Sequence, residues 1–282
     1  MRGASRRRVL SNLIVGLCGL AVVLALIPLT LIFIYVIKQG FSSLNWDFFT
    51  KMPKPVGEPG GGMANAMLGT LFLIGLASVL AIPVGMIAGV YLSEYRGSRF
   101  ASLVRFTADV LNGVPSIVIG IFAYGLAVLP VHRFSALAGG LALAFMMIPI
   151  ITRTTEELLN LVPSTLREGA LALGATRARA AFGVMVPAAL PGIMTGILVA
   201  LARIAGETAP LLFTSFNNRF FTTRLDQPIA SLTVQVYTYA ISPYDDWHRQ
   251  AWAGALVLVS FVFVFSVLAR IVTRRLERMH RV

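Results

Sequence analysis

EGALALGATRARAAFGVMVP, Glu168 to Pro187, stands inside a long polar, arginine-bearing interval between apolar runs, which marks it as a folded element outside a bilayer rather than a span. Thr165-Leu166-Arg167-Glu168 has the T-x-x-E form of a capping box and predicts a helix start there. Leu166, Ala170 and Leu173 follow at i, i+4 and i+7, a short apolar stripe on an otherwise polar helix. Gly174 can take the left-handed conformation that ends it. Ala175 and Thr176 open a second helix that carries Arg177 and Arg179 toward Pro187. A two-turn helix is marginal alone in water, where fewer than about 12 residues rarely hold. It must pack either on the protein's own membrane ends or in the groove of a partner, and spacing leaves both open.

Outward from this stretch the chain is apolar. Of 282 residues, 57% are hydrophobic and 13% charged, and the mean hydropathy is +0.79, too apolar for an ordinary soluble core. The formal charge of +12 does not signal nucleic acid. Lys and Arg fall between apolar runs instead of clustering with aromatics, the pattern of the positive-inside bias. The single cysteine, Cys18, excludes an intrachain disulfide framework and a multi-cysteine metal site, and His132, His248 and His280 are scattered. The glycine run Gly57 to Gly62 is followed by Met63 and Ala64, not by the Lys and Ser or Thr of a phosphate-cradling loop. If the protein uses ATP, with its magnesium, another chain binds it.

Six apolar runs predict an all-α polytopic membrane protein, with spans near 13–37, 63–92, 106–129, 135–152, 187–213 and 251–271 and a single transmembrane domain over 1–282. The first run exceeds the roughly 7 to 15 residues of a signal-peptide core and reads as an uncleaved span. The second contains Pro83, and the third carries Asp109, Asn112 and GVPSIVIG from Gly113 to Gly120, read as close helix packing or a local break. Residues 153–186 form the polar loop between the fourth and fifth runs. Part of the external segment 214–250 reads as a short amphipathic helix. Placing both termini inside puts 16 of the 24 Lys and Arg on the cytoplasmic side, 7 outside and Arg203 within a span.

Arg203, sixteen residues beyond Pro187, is about 24 Å along a helix and past mid-membrane, with Glu207 one turn on. A charge at the bilayer centre costs about 2.5 to 3.5 kcal/mol, while an i,i+4 pair returns about 0.3 to 0.5, so the pair faces protein or water. It is either a buried ion pair that fixes packing, or a planar donor fork offered to an oxyanion. Arg153 and Glu156, at i, i+3 by the inner end of the fourth run, form a second such pair, for which topology marking and snorkelling is the plain alternative.

Glu168-Gly169-Ala170, then Gly174, Val184, Val186 and Pro187, resemble the EAA-x3-G-x9-I-x-LP signature of ABC importer permeases, with Gly169, Val184 and Val186 as departures. GGGMANAMLGTL (60–71), GVPSIVIGIF (113–122), RTTEE (153–157), ALARIAGETAPLLFT (200–214) and SPYDDW (242–247) resemble, more narrowly, the phosphate permeases of that family. The resemblance implies a type I ABC importer permease of the bacterial inner membrane. Glu168, Gly169, Ala170, Gly174 and Pro187 would couple to a cytoplasmic ATPase that holds ATP and magnesium. Arg203, Glu207, Arg153 and Glu156 would line a path for inorganic phosphate. A second permease, the ATPase and an extracytoplasmic phosphate-binding protein are the implied partners. Residue types alone leave open another oxyanion such as sulfate or molybdate, an ion-coupled secondary transporter, or a membrane scaffold.

Overall fold

The computed structural model describes residues 2–55, 57–58 and 60–279 and is helical in all its long elements. Five helices are long and apolar enough to cross a membrane, and a bent pair supplies a sixth candidate. The first, α1 (Arg2–Phe41), is exposed along its apolar length. It is held chiefly near its end, where the Tyr35 ring meets Trp252 edge-on at 5.0 Å, so lipid or another subunit must cover the rest. A short α2 (Trp46–Thr50), capped by Asn45, leads into α3 (Ala64–Glu94).

α3 packs along α6 (Ala136–Leu161) to form the centre of the molecule. Gly85 and Gly89, one turn apart, bring the two backbones together: a Cβ on Gly89 would stand 2.5 Å from the Thr155 Cβ, and one on Gly85 2.8 Å from that of Ile151. Small residues at such a seam let helices gain dispersion contacts that no hydrophobic effect supplies inside a bilayer. Leu73, Ala77, Ala81, Leu143, Met147 and Ile151 fill this core, and Ile193, Ile197 and Ile204 of α9 (Val186–Ala205) close it from the other side of α6. Gly192 and Gly196 of α9 lie against Leu158 and Thr154; rising residue numbers on one helix meet falling ones on the other, so α6 and α9 run antiparallel.

Three expectations about span boundaries need correction. The third apolar run, read as one helix over 106–129, is two: α4 (Arg99–Gly113) and α5 (Ser116–Ala123, continued by irregular turns to Val131), bent by 110°. Pro115 has no N–H to donate and drives Val114 into extended backbone, so the ladder stops there. The fifth run, read as 187–213, ends as a helix at Ala205; Gly206 caps it and the chain turns into a separate short helix, α10 (Ala209–Thr214). Gly120 of α5 sits against Pro210 of α10, packing the two short helices together. The fourth run goes the other way: its helix persists through Arg153 and Glu156 to Leu161.

Between α6 and α9 come α7 (Ser164–Ala172) and α8 (Arg177–Ala180), the latter joined to α9 through a wide turn over Ala181–Met185. Beyond α10, the short helix expected within 214–250 is α11 (Leu232–Ala240), started by Ser231. Its buried face joins Phe48, Met63 and Ala253 in a second small core at the end of the molecule opposite α7. The last helix, α12 (Asp245–Met279), starts before the 251 expected. His280 and Arg281 lie outside the described residues.

Candidate functional site

At the α7 end, Ser164 opens the short helix and Pro163 precedes it in extended backbone. No capping box forms, because the helix is already under way at Thr165; the proline, not a side-chain oxygen, turns the chain in. The expected stop does form. Gly174 has φ +84°, its N–H donates to the Leu171 carbonyl and that of Ala175 to Ala170 at 3.1 Å, the paired bonds of a glycine-terminated helix. Glu168 and Gly169 are exposed and Ala170 half-buried. Leu166 is exposed, and Leu173 is 92% exposed, so much of the predicted apolar stripe is left uncovered by the described residues. Thr176 caps α8 by accepting from the Arg179 N–H at 3.3 Å, and Pro187 stands in the first turn of α9.

The second constellation lies two turns inside α6. Glu156 is 2% exposed, and its carboxylate takes Arg105 of α4 on Oε1 at 2.6 Å and Arg153 on Oε2 at 2.5 Å. Arg153 also reaches Asp109 at 2.9 Å, with Glu157 at 3.8 Å. Two guanidinium groups and the carboxylates around them thus neutralise one another across the α4–α6 contact, which is how a buried carboxylate is tolerated. The predicted Arg153–Glu156 pair is present, but closed. Arg105, which sequence reading did not join to this pair, is its missing partner; the clue is that Arg105 and Asp109 share one face of α4 at i, i+4 with Ala101 and Ala108, the buried residues of that helix.

Arg203 is placed differently. It lies exposed in the last turn of α9, where a cation suits the helix C-terminus. Glu207 falls beyond Gly206, outside the helix, so the expected i,i+4 geometry is lost, and among the described residues the two form no ion pair. The Glu207 carbonyl instead accepts from the Thr233 hydroxyl at 2.8 Å, fastening the chain to α11. Gly196 meets Thr154, beside Arg153, and Arg203 is seven residues further, about 10 Å along α9. The two arginines therefore stand at different depths and do not form one site.

The end opposite α7 is polar as well. Asn217, Asn218, Arg219, Gln235 and Tyr239 line part of a cavity of about 270 Å³, with Gln235 accepting from Asn217 at 3.0 Å. Burial pushes the Tyr239 phenol above its ordinary range, against the opposing pull of Gln235 and Arg219. Nearby, the Arg224 guanidinium holds the half-buried Asp226 carboxyl below the usual carboxylate range.

Residues 81–278 match the family described as "Binding-protein-dependent transport system inner membrane component". The phosphate transport system permease protein PstA of Haemophilus influenzae is 43% identical over 266 residues, 94% of each chain. That of Yersinia pestis is 46% identical over 237 residues, covering 84% of this chain and 80% of the relative. Among solved structures, a chain of a bacterial alginate ABC transporter aligns with a TM-score of 0.68 over 93% of this chain and 94% of its own, at 14% identity. An inward-facing MetNI methionine ABC transporter gives 0.58 over 76% and 94%, at 20% identity; these likenesses speak for the fold. Fold and family together define a permease subunit of an ABC importer, a multi-pass protein of the inner membrane. Within that class the chain belongs to the phosphate transport system permease proteins, PstA.

Proposed function

We propose that this chain carries inorganic phosphate across the inner membrane as one half of a permease pair, powered by ATP hydrolysed elsewhere. What carries the proposal is the identity of 40 to 46% to relatives named as phosphate permeases over most of the chain, joined to a guanidinium at Arg203 that no carboxylate of this chain neutralises among the described residues. A guanidinium fork matches two oxygens of an oxyanion. Glu207, half-buried close by, accepts a proton from a protonated phosphate. Arg153 and Glu156 form an inner station: when α4 and α6 part, Arg153 loses Asp109 and Glu156 loses Arg105, and Arg153 turns from the Glu156 carboxylate beside it on α6 to meet the anion. The partners are a PstC-like permease against the exposed membrane faces, a PstB-like ATPase with its ATP and magnesium at α7, and a PstS-like phosphate-binding protein at the opposite end. This chain itself needs no cofactor. The arginine distribution puts both termini and α7 on the cytoplasmic side.

Uptake of labelled phosphate against sulfate by the reconstituted complex, with and without ATP, tests the reading. ATP-dependent uptake of phosphate alone is expected. Sulfate or molybdate uptake in its place transfers the chain to another oxyanion importer, and uptake by the purified chain under an ion gradient makes it a secondary transporter. Glu168→Lys, on the exposed face of α7, should leave the protein inserted and lower uptake at least about tenfold while ATP is still hydrolysed, since a reversed charge at the docking surface costs contacts made only there. Undiminished uptake in that variant removes Glu168 from the docking surface.

A further inference from the structure

Arg167 of α7 reaches Glu94, the last residue of α3, at 2.5 Å, with side chains 29% and 10% exposed. Neither charge suits its own helix. Glu94 puts a negative charge at a C-terminus, and Arg167 puts a positive one near an N-terminus, each opposing the local dipole. Neither placement helps its own helix, so the pair is explained by the link it makes between them. A neighbouring bond points the same way: the Ser93 hydroxyl donates to Asn160 of α6 at 3.1 Å. Ser93 and Glu94 thus bracket the elbow at Val162 and Pro163 where α6 turns into α7, one grip before it and one after. The Arg167 Nε is buried with no hydrogen-bond partner among the described residues, and Glu94 is the one ion-pair partner of this guanidinium among them. At its other end α7 passes through the glycine turn at Gly174 into α8 and rests on the wide turn Ala181–Met185 that leads to α9.

We propose that the Arg167–Glu94 pair is a strut that makes α7 move as one body with α3 and α6, so that a displacement imposed on α7 is delivered to the layer carrying Arg153 and Glu156 instead of being spent in pivoting about Pro163 and Gly174. Arg167 and Glu94 are positioning residues in this account. The inference rests on the reading of α7 as the helix that meets the ATPase.

The test uses the full complex in lipid vesicles. Glu94→Gln and Arg167→Gln should each lower phosphate taken up per ATP hydrolysed about tenfold, with all subunits still co-purifying and ATP still hydrolysed. The exchange Glu94→Arg with Arg167→Glu should recover at least half of the ratio. A wild-type ratio in both single variants overturns the strut, as does an exchange no better than the singles in an intact complex. A second readout does not depend on which anion is carried. With Cys18 replaced by serine and spin labels at Gly97 and Ala172, the interlabel distance should stay narrow and unchanged on ATP binding, and should broaden when Glu94→Gln is added. A distance that shifts with ATP in the otherwise unaltered protein overturns the proposal. A wild-type complex that takes up no phosphate counts against the permease reading and leaves this second readout to decide the strut.

Discussion

Replacing Arg203 with glutamine should lower phosphate uptake by at least about a hundredfold while the complex still assembles in the membrane. The reason lies in what Arg203 does not do. It stands exposed at the end of α9 with no ion-pair partner among the described residues, so its loss strands no carboxylate and opens no buried cavity. A hundredfold loss is about 2.7 kcal/mol at 1.4 kcal/mol per decade, within reach of one or two charge-assisted hydrogen bonds at about 1.5 to 3 kcal/mol each. Arg203→Lys keeps the charge but not the planar fork, and should fall between the two. Glu207→Gln separates the roles further: with no ion pair to break, it should leave Arg203 as available as before, so a defect must come from proton handling or from the Thr233 contact. Wild-type uptake by Arg203→Gln would remove it from the path, and failure of assembly would make it a packing residue after all.

Hydropathy located the apolar segments because it reports the solvent each residue prefers, and the family signature located α7. What it could not report is backbone direction. Residues 106–129 are apolar throughout, yet Pro115 turns the chain through 110°, and GVPSIVIG holds the cue for a break as well as for close packing. The end of α9 at Gly206 was hidden in the same way, because the apolar residues of α10 resume directly after Thr208 and the run looks unbroken. In α6 the error is reversed: RTTEE lowers the hydropathy, but the helix continues because Arg105 and Asp109 of α4 supply the opposite charges. Such partners belong to tertiary structure. Arg167 and Glu94 are 73 positions apart, and no local pattern joins them. The capping box at Thr165 shows a motif outcompeted by its neighbour, since Pro163 and Ser164 start the helix first.

The Arg105–Glu156–Arg153 cluster gives the other large effect. Glu156→Leu should destabilise the protein by about 3 to 5 kcal/mol, the usual cost of removing one member of a buried charge group, because two guanidinium groups are left facing an apolar side chain. The amount of folded protein in membranes and the melting temperature in detergent should both fall sharply. Arg105→Leu alone should cost less, since Arg153 still holds the Glu156 carboxylate at 2.5 Å. The double variant Arg105→Leu, Glu156→Leu is the informative one. Apolar replacement of a whole ion pair is often neutral, and Arg153 keeps Asp109 at 2.9 Å, so stability should return to near wild type. If Glu156 also serves the path, uptake will stay low in this stable protein, because Arg153 is no longer released and recaptured by the α6 carboxylate beside it. Recovery of uptake along with stability would assign the cluster to holding α4 on α6 and leave Arg203 as the anion-binding group of this chain.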